Sequence, residues 1–149
     1  MNRGLRVLGH PLHPMLSDFP LVFLLLWAVM DVAAIALGLA TVWGLARWAL
    51  VAGVVAAAVT ATAGFIDYLG VPQSKPRALK TATAHLAVMV SVVTVALMDL
   101  VFRTPTLPEG TGRWLELAAA VVVAGALVVG GWLGGHLVFH YGVGVDEQR

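Results

Sequence analysis

Phe19-Pro20-Leu21-Val22-Phe23-Leu24-Leu25-Leu26-Trp27-Ala28-Val29-Met30-Asp31-Val32-Ala33-Ala34-Ile35-Ala36-Leu37-Gly38-Leu39-Ala40 holds a single charged side chain, Asp31. A helix needs roughly 20 predominantly apolar residues to cross the hydrocarbon core of a bilayer, and this stretch supplies them. Pro20 is expected in its opening turn, where a missing N–H costs nothing. Three further stretches have the same character: Val42 to Leu69, Leu79 to Phe102 and Trp114 to Tyr141. The connections are short and rich in turn residues, with Gly38 and Gly44 in the first. Gly70, Pro72 and Pro76 mark the second, and Pro105, Pro108 and Gly110 the third. Short links make neighbouring helices antiparallel. The expected fold is therefore an all-α integral membrane protein, one four-transmembrane-helix up-down-up-down bundle over residues 1–149.

Composition agrees with lipid as the solvent. Of the 149 residues, 60% are hydrophobic and only 11% charged, more apolar surface than a water-exposed domain of this size could bury. The formal net charge of +1 gives no footprint for nucleic acid. There is no cysteine, which removes disulfides, thiolate-held iron–sulfur clusters and covalent haem attachment in this chain. Any cofactor must be held by His, Met, carboxylates or backbone. The N-terminus lacks an apolar core followed by a small-residue cleavage site, so it reads as retained, with the first helix as the insertion signal. Lys and Arg number six on the side of the termini and middle loop (Arg3, Arg6, Lys75, Arg77, Lys80, Arg149). Three lie on the other side (Arg47, Arg103, Arg113). By the positive-inside rule both termini are cytoplasmic, at the inner membrane of a bacterium.

A repeat is visible. Ala28-Val29-Met30-Asp31-Val32 matches Ala96-Leu97-Met98-Asp99-Leu100, and Ala63-Gly64-Phe65-Ile66 matches Gly130-Gly131-Trp132-Leu133. The pattern suggests a duplicated helical hairpin.

The polar residues converge at the terminus side: His10, His13, Asp18, Asp67, His85, His136 and His140, which include all five histidines. Ionisable groups inside a membrane are costly and face the bundle interior, where they serve function or bind helices together. His85 and His136 sit on consecutive antiparallel helices, the placement for a bis-imidazole haem b. Arg77 and Lys80 are positioned for its propionates. Gly130, Gly131, Gly134 and Gly135 allow either close helix packing or room for a flat cofactor. His140 shares a face with His136. His10 and His13 each precede a proline, which favours extended backbone; they suit a ligand role or a lid, while Ser17 or Asp18 would cap the first helix. Asp67 is placed to orient a ligating histidine or to take a proton. Asp31 and Asp99, toward the other side, read as structural partners of Arg47, Arg103 or Arg113.

Gly9-His10-Pro11-Leu12-His13-Pro14-Met15-Leu16-Ser17-Asp18-Phe19-Pro20 resembles the opening of a bacterial membrane family catalogued as domain of unknown function 2231. Gly134-Gly135-His136-Leu137-Val138-Phe139-His140-Tyr141-Gly142-Val143-Gly144-Val145 resembles its close. The resemblance implies a four-helix membrane module whose relatives are sometimes joined to Rieske-type or cytochrome c-type domains. It carries over His10, His13, Asp18 and the His136 region. In the family pattern a glutamate often replaces His136, which makes His85 with His10, His13 or His140 the better ligand set.

Two functional classes follow. The first is a b-type haem electron-transfer subunit of a redox complex, exchanging electrons with quinone or with other redox subunits. The second is a divalent-metal protein holding Zn, Fe or Mn with His10, His13, Asp18, Asp67, His85 and His136 or His140. A non-catalytic anchor or assembly subunit is the structural alternative.

Overall fold

The structure, a computed structural model, describes residues 5–144. A two-residue strand pair, β1 (Arg6–Val7) and β2 (His10–Pro11), precedes four helices: α1 (Leu12–Leu37), α2 (Ala40–Leu69), α3 (Pro76–Phe102) and α4 (Gly110–Phe139). The shortest, α1, has 26 residues, about 39 Å of helix at 1.5 Å per residue. All four are long and apolar enough to cross a membrane. Contacts fix the directions. The start of α1 meets the end of α2 (His13 with Thr60), and the start of α3 meets the later half of α4 (His85 with Gly130). The ends of α1 and α3 join through Asp31 and Arg103. Hence α1 and α3 run one way and α2 and α4 the other, the up-down-up-down bundle expected from the short links.

The dry middle of the bundle is Leu24 and Trp27 of α1, Ala46, Ala49 and Leu50 of α2, Val92 and Ala96 of α3, and Val123 and Leu127 of α4. Outward positions are equally apolar: Trp48, Val55, Val90, Val101, Val122 and Trp132 are all exposed. That is the pattern of a bundle solvated by lipid on its outer face and packed by alanine and glycine within.

Three helix starts differ by three residues or more from the sequence expectation. Helix α1 starts at Leu12, so His13 is helical and not extended. Pro14 lies three residues past the Pro11 N-cap, where the N–H it lacks would have had no intrahelical partner. No side chain caps this end. The N–H of Leu12 instead donates to the Leu5 carbonyl across the strand pair at 2.8 Å, and the Ser17 hydroxyl turns back onto the carbonyls of His13 and Pro14. Asp18 is exposed, so neither residue caps as expected. Pro20 is consequently well inside α1 rather than in its first turn. A proline there cannot donate to the carbonyl four residues back, and that carbonyl, Leu16, accepts instead from the Thr60 hydroxyl of α2 at 3.2 Å. Helices α3 and α4 likewise begin earlier than Leu79 and Trp114, at Pro76 and Gly110; Pro76 suits a first helical turn.

Thr60 therefore repairs a defect in its neighbour. Thr60→Val should keep shape and packing yet leave the Leu16 carbonyl unpaired, lowering stability by about 1 kcal/mol. Reversible unfolding in mixed micelles should show the loss; a Pro20→Ala background, which restores the intrahelical bond, should abolish it.

Candidate functional site

Two polar centres interrupt the apolar bundle, one at each end. At the end where the described chain begins and finishes, His13 and His85 face each other from α1 and α3. Their ring centroids are 6.4 Å apart in an edge-to-face arrangement. Each ring is seated in the same way on its antiparallel neighbour. His13 donates through Nδ1 to the Thr60 carbonyl at 3.2 Å, and His85 through Nδ1 to the Gly130 carbonyl at 2.9 Å. Four residues on from each acceptor stands a glycine, Gly64 or Gly134. A Cβ on Gly64 would lie 2.7 Å from the His13 ring, and one on Gly134 would lie 3.2 Å from the His85 ring. The glycine leaves the notch; the carbonyl one turn earlier fixes the ring within it. Both hairpins, α1–α2 and α3–α4, thus carry one construction.

That seating has a chemical consequence. A histidine whose Nδ1–H is held by a backbone carbonyl presents the lone pair of Nε2, the tautomer used by metal-ligating imidazoles. Beside His13 lies Asp67 of α2, half-buried, with Oδ1 buried and accepting no hydrogen bond. His13 and Arg6 act on it electrostatically.

The other expected site residues are placed elsewhere. His85 meets His13 and not His136. His136 is two residues past Gly134, about 200° around the helix, and so points off the face that receives His85. It stacks on Trp132 at 5.3 Å and on His140 at 4.5 Å, with Tyr141 edge-on at 5.1 Å. His10 in β2 and Asp18 in α1 are exposed, as are Arg77 and Lys80 in the first turns of α3. Lys80 borders a shallow outward hollow with Pro76, Leu79 and Ala84. Of Gly130, Gly131, Gly134 and Gly135 in α4, Gly130 and Gly134 face α3, where the spaces they leave are taken by Met89 and His85.

The opposite end is built on Arg103, the residue that follows α3. Its guanidinium is 1% exposed and grips both oxygens of Asp31, with Nη1 2.7 Å from Oδ2. Nη1 also donates to Asp99 Oδ2 at 3.0 Å, and Nη2 to the Trp43 carbonyl at 3.1 Å. The guanidinium carbon lies 3.4 Å over the Trp43 ring, a cation–π contact, and the indole N–H donates to the Thr104 carbonyl. Glu116 of α4 completes the centre: oxygens of Asp31, Asp99 and Glu116 lie within 4.8 Å of one another. Of the three arginines on this side, Arg103 is therefore the partner of both aspartates. Arg113 bonds the Ile35 carbonyl, and Arg47 is exposed. Glu116 was not legible as a member. The usable signal was Asp99 and Arg103 at i and i+4, with Asp31 and Asp99 at matching places in the repeat.

Removing one partner of a buried ion pair leaves an uncompensated charge, typically costing 3–5 kcal/mol. Arg103→Ala should lower unfolding stability on that scale. Arg103→Lys should recover only part, because an ammonium cannot hold Asp31 bidentately while also donating to Asp99 and Trp43. Thermal unfolding of the detergent-purified variants, compared with an exposed-site control such as Arg47→Ala, should give that order.

The sequence profile of a family described as "Predicted membrane protein (DUF2231)" matches residues 9–147, nearly the whole chain. No curated protein matches it, and no solved structure does. The match takes in both polar centres and all four membrane-spanning helices, and the chain belongs to this family of predicted membrane proteins.

Proposed function

We propose that the chain is a membrane-embedded b-type haem electron-transfer subunit of a bacterial redox complex, with His13 and His85 as the imidazole pair. The observation that carries the reading is their shared seating, each Nδ1–H spent on a backbone carbonyl and each Nε2 left as a donor of its lone pair. Their ring centroids lie 6.4 Å apart, so His13 and His85 are the two imidazoles that would hold the group. Two ligands suffice for haem, whose macrocycle supplies the remaining donors. When bound, haem supplies one-electron redox chemistry at a potential tuned by burial and axial ligation. The chain's own contribution is to fix two rings between apolar walls, with Asp67 beside His13 to exchange protons with a quinone. Arg77 and Lys80 stand exposed nearby on α3 as cations for carboxylates of the cofactor.

A divalent-ion reading is favoured by one observation, the Asp67 Oδ1 that accepts no hydrogen bond beside His13, since imidazoles and a carboxylate suit Zn, Fe or Mn. It ranks second because a bare ion needs at least three protein donors. Among the described residues, the groups that place three such atoms within 4.8 Å are Asp31, Asp99 and Glu116, not the histidines. An anchor or assembly role is the reading left if neither haem nor metal binds.

The orientation proposed is termini in the cytoplasm. Arg103 is buried in its cluster, so only Arg47 and Arg113 remain to face the opposite surface, which sharpens the positive-inside bias.

Two measurements test these statements. Protein expressed with ample haem should show a Soret band and a sharp reduced-minus-oxidised α-band, lost in His13→Ala and His85→Ala but kept in His136→Ala. A featureless spectrum with stoichiometric divalent metal would select the second reading, and an empty sample would defeat both. For topology, the cysteine-free chain accepts single cysteines cleanly. Ser74→Cys should resist an impermeant maleimide applied to whole cells, and Thr106→Cys should react.

A further inference from the structure

We infer that Asp99 and Glu116 form a proton-binding carboxyl pair, one proton carried by Glu116 and donated to Oδ1 of Asp99. The inference stands apart from the haem reading, at the other end of the bundle.

Charge accounting leads to it. Three carboxylates, Asp31 of α1, Asp99 of α3 and Glu116 of α4, gather around one guanidinium. From α2 the cluster is faced by the Trp43 ring and carbonyl, which carry no charge. The neighbouring cations are engaged elsewhere or outward: Arg113 bonds Ile35, and Arg47 is exposed. Fully ionised, the cluster would hold two unbalanced negative charges among apolar helices, a costly state.

The hydrogen bonds show where the deficit lies. Arg103 takes both oxygens of Asp31 and Oδ2 of Asp99. Oδ1 of Asp99 is buried with no donor, on a side chain only 2% exposed. Carboxylate oxygens of Glu116 and Asp99 lie within 4.8 Å of each other. Two ionised carboxylates cannot hydrogen-bond each other, since both only accept; a protonated one has a donor. One proton therefore satisfies Asp99 Oδ1 and removes one of the surplus charges in a single step. No other bond is made or broken. The Asp31–Arg103 pair is left neutral, and one negative charge remains shared by Asp99 and Glu116.

A divalent cation fits the same place poorly. Ca²⁺ takes six or more oxygens, whereas Arg103 already occupies three of the six carboxylate oxygens and brings a fixed positive charge against the site. Glu116, half-buried near the start of α4, gives the proton a route from the membrane surface to Asp99, which is closed in.

Infrared spectroscopy of the full-length protein reads this directly. At neutral pH the wild type should show the C=O stretch of a protonated carboxyl, shifted in D2O, lost reversibly in alkali and absent from Glu116→Gln with helicity unchanged. Should that variant fail to fold, ¹³C-glutamate labelling of the unaltered chain gives the same answer. The band must move with the label, and persist in Glu109→Gln and Glu147→Gln, which replace the other two glutamates. Absence of the band from the wild type, its survival in Glu116→Gln, or insensitivity to the label would overturn the proposal. So would a stoichiometric divalent ion present in the wild type and missing from Glu116→Gln.

Discussion

A guanidinium shut inside an apolar bundle has to be met on every donor, and the way Arg103 is met organises one end of this protein. Asp31 brings α1 to it, the Trp43 ring and carbonyl bring α2, and Asp99 presents from α3 itself. Helix α4 arrives with Glu116. Association of helices in lipid cannot draw on a hydrophobic difference between inside and outside, because both are hydrocarbon. Direction and register must come from the few groups that lipid cannot satisfy. Arg103 supplies them here, and its environment is polar enough only if all four helices are present.

The other end solves the same problem with smaller means. His13 and His85 each find a backbone carbonyl on the antiparallel neighbour, one turn before a glycine that clears space for the ring. A third contact of this kind, Thr60 to Leu16, closes the opening that Pro20 makes in α1. These bonds lock the two hairpins internally, while the Arg103 cluster and the facing histidines lock α1 to α3 across them. Between the two ends lies a dry stretch of Leu24, Trp27, Leu50, Val92, Val123 and Leu127, where alanine and glycine allow close approach.

Chemistry is separated along the same axis. The histidine end gathers two imidazoles, with Asp67 next to His13. The arginine end offers surplus carboxylates, suited to a proton. An apolar middle keeps the two apart.

Length and composition alone determined the four spans, their alternation and the sidedness of the histidines, because hydrocarbon thickness and the cost of bare backbone leave few other solutions. The repeat put Asp31 and Asp99 at matching positions, and both were expected to pair with Arg47, Arg103 or Arg113. Rotation of each helix about its axis was another matter. In a water-soluble bundle the apolar stripe reports it, but here outward residues such as Val90 and Val122 are as apolar as inward ones such as Val92 and Val123, and the sequence has no phase to read. For that reason only the tertiary structure decided that His85 meets His13 and not His136. It also decided that α1 winds on through Pro14 and Pro20, and that Glu116 joins Asp31 and Asp99. Each was settled by a carbonyl, a glycine notch or a buried charge on a neighbouring helix, and such partners exist only once the helices have packed.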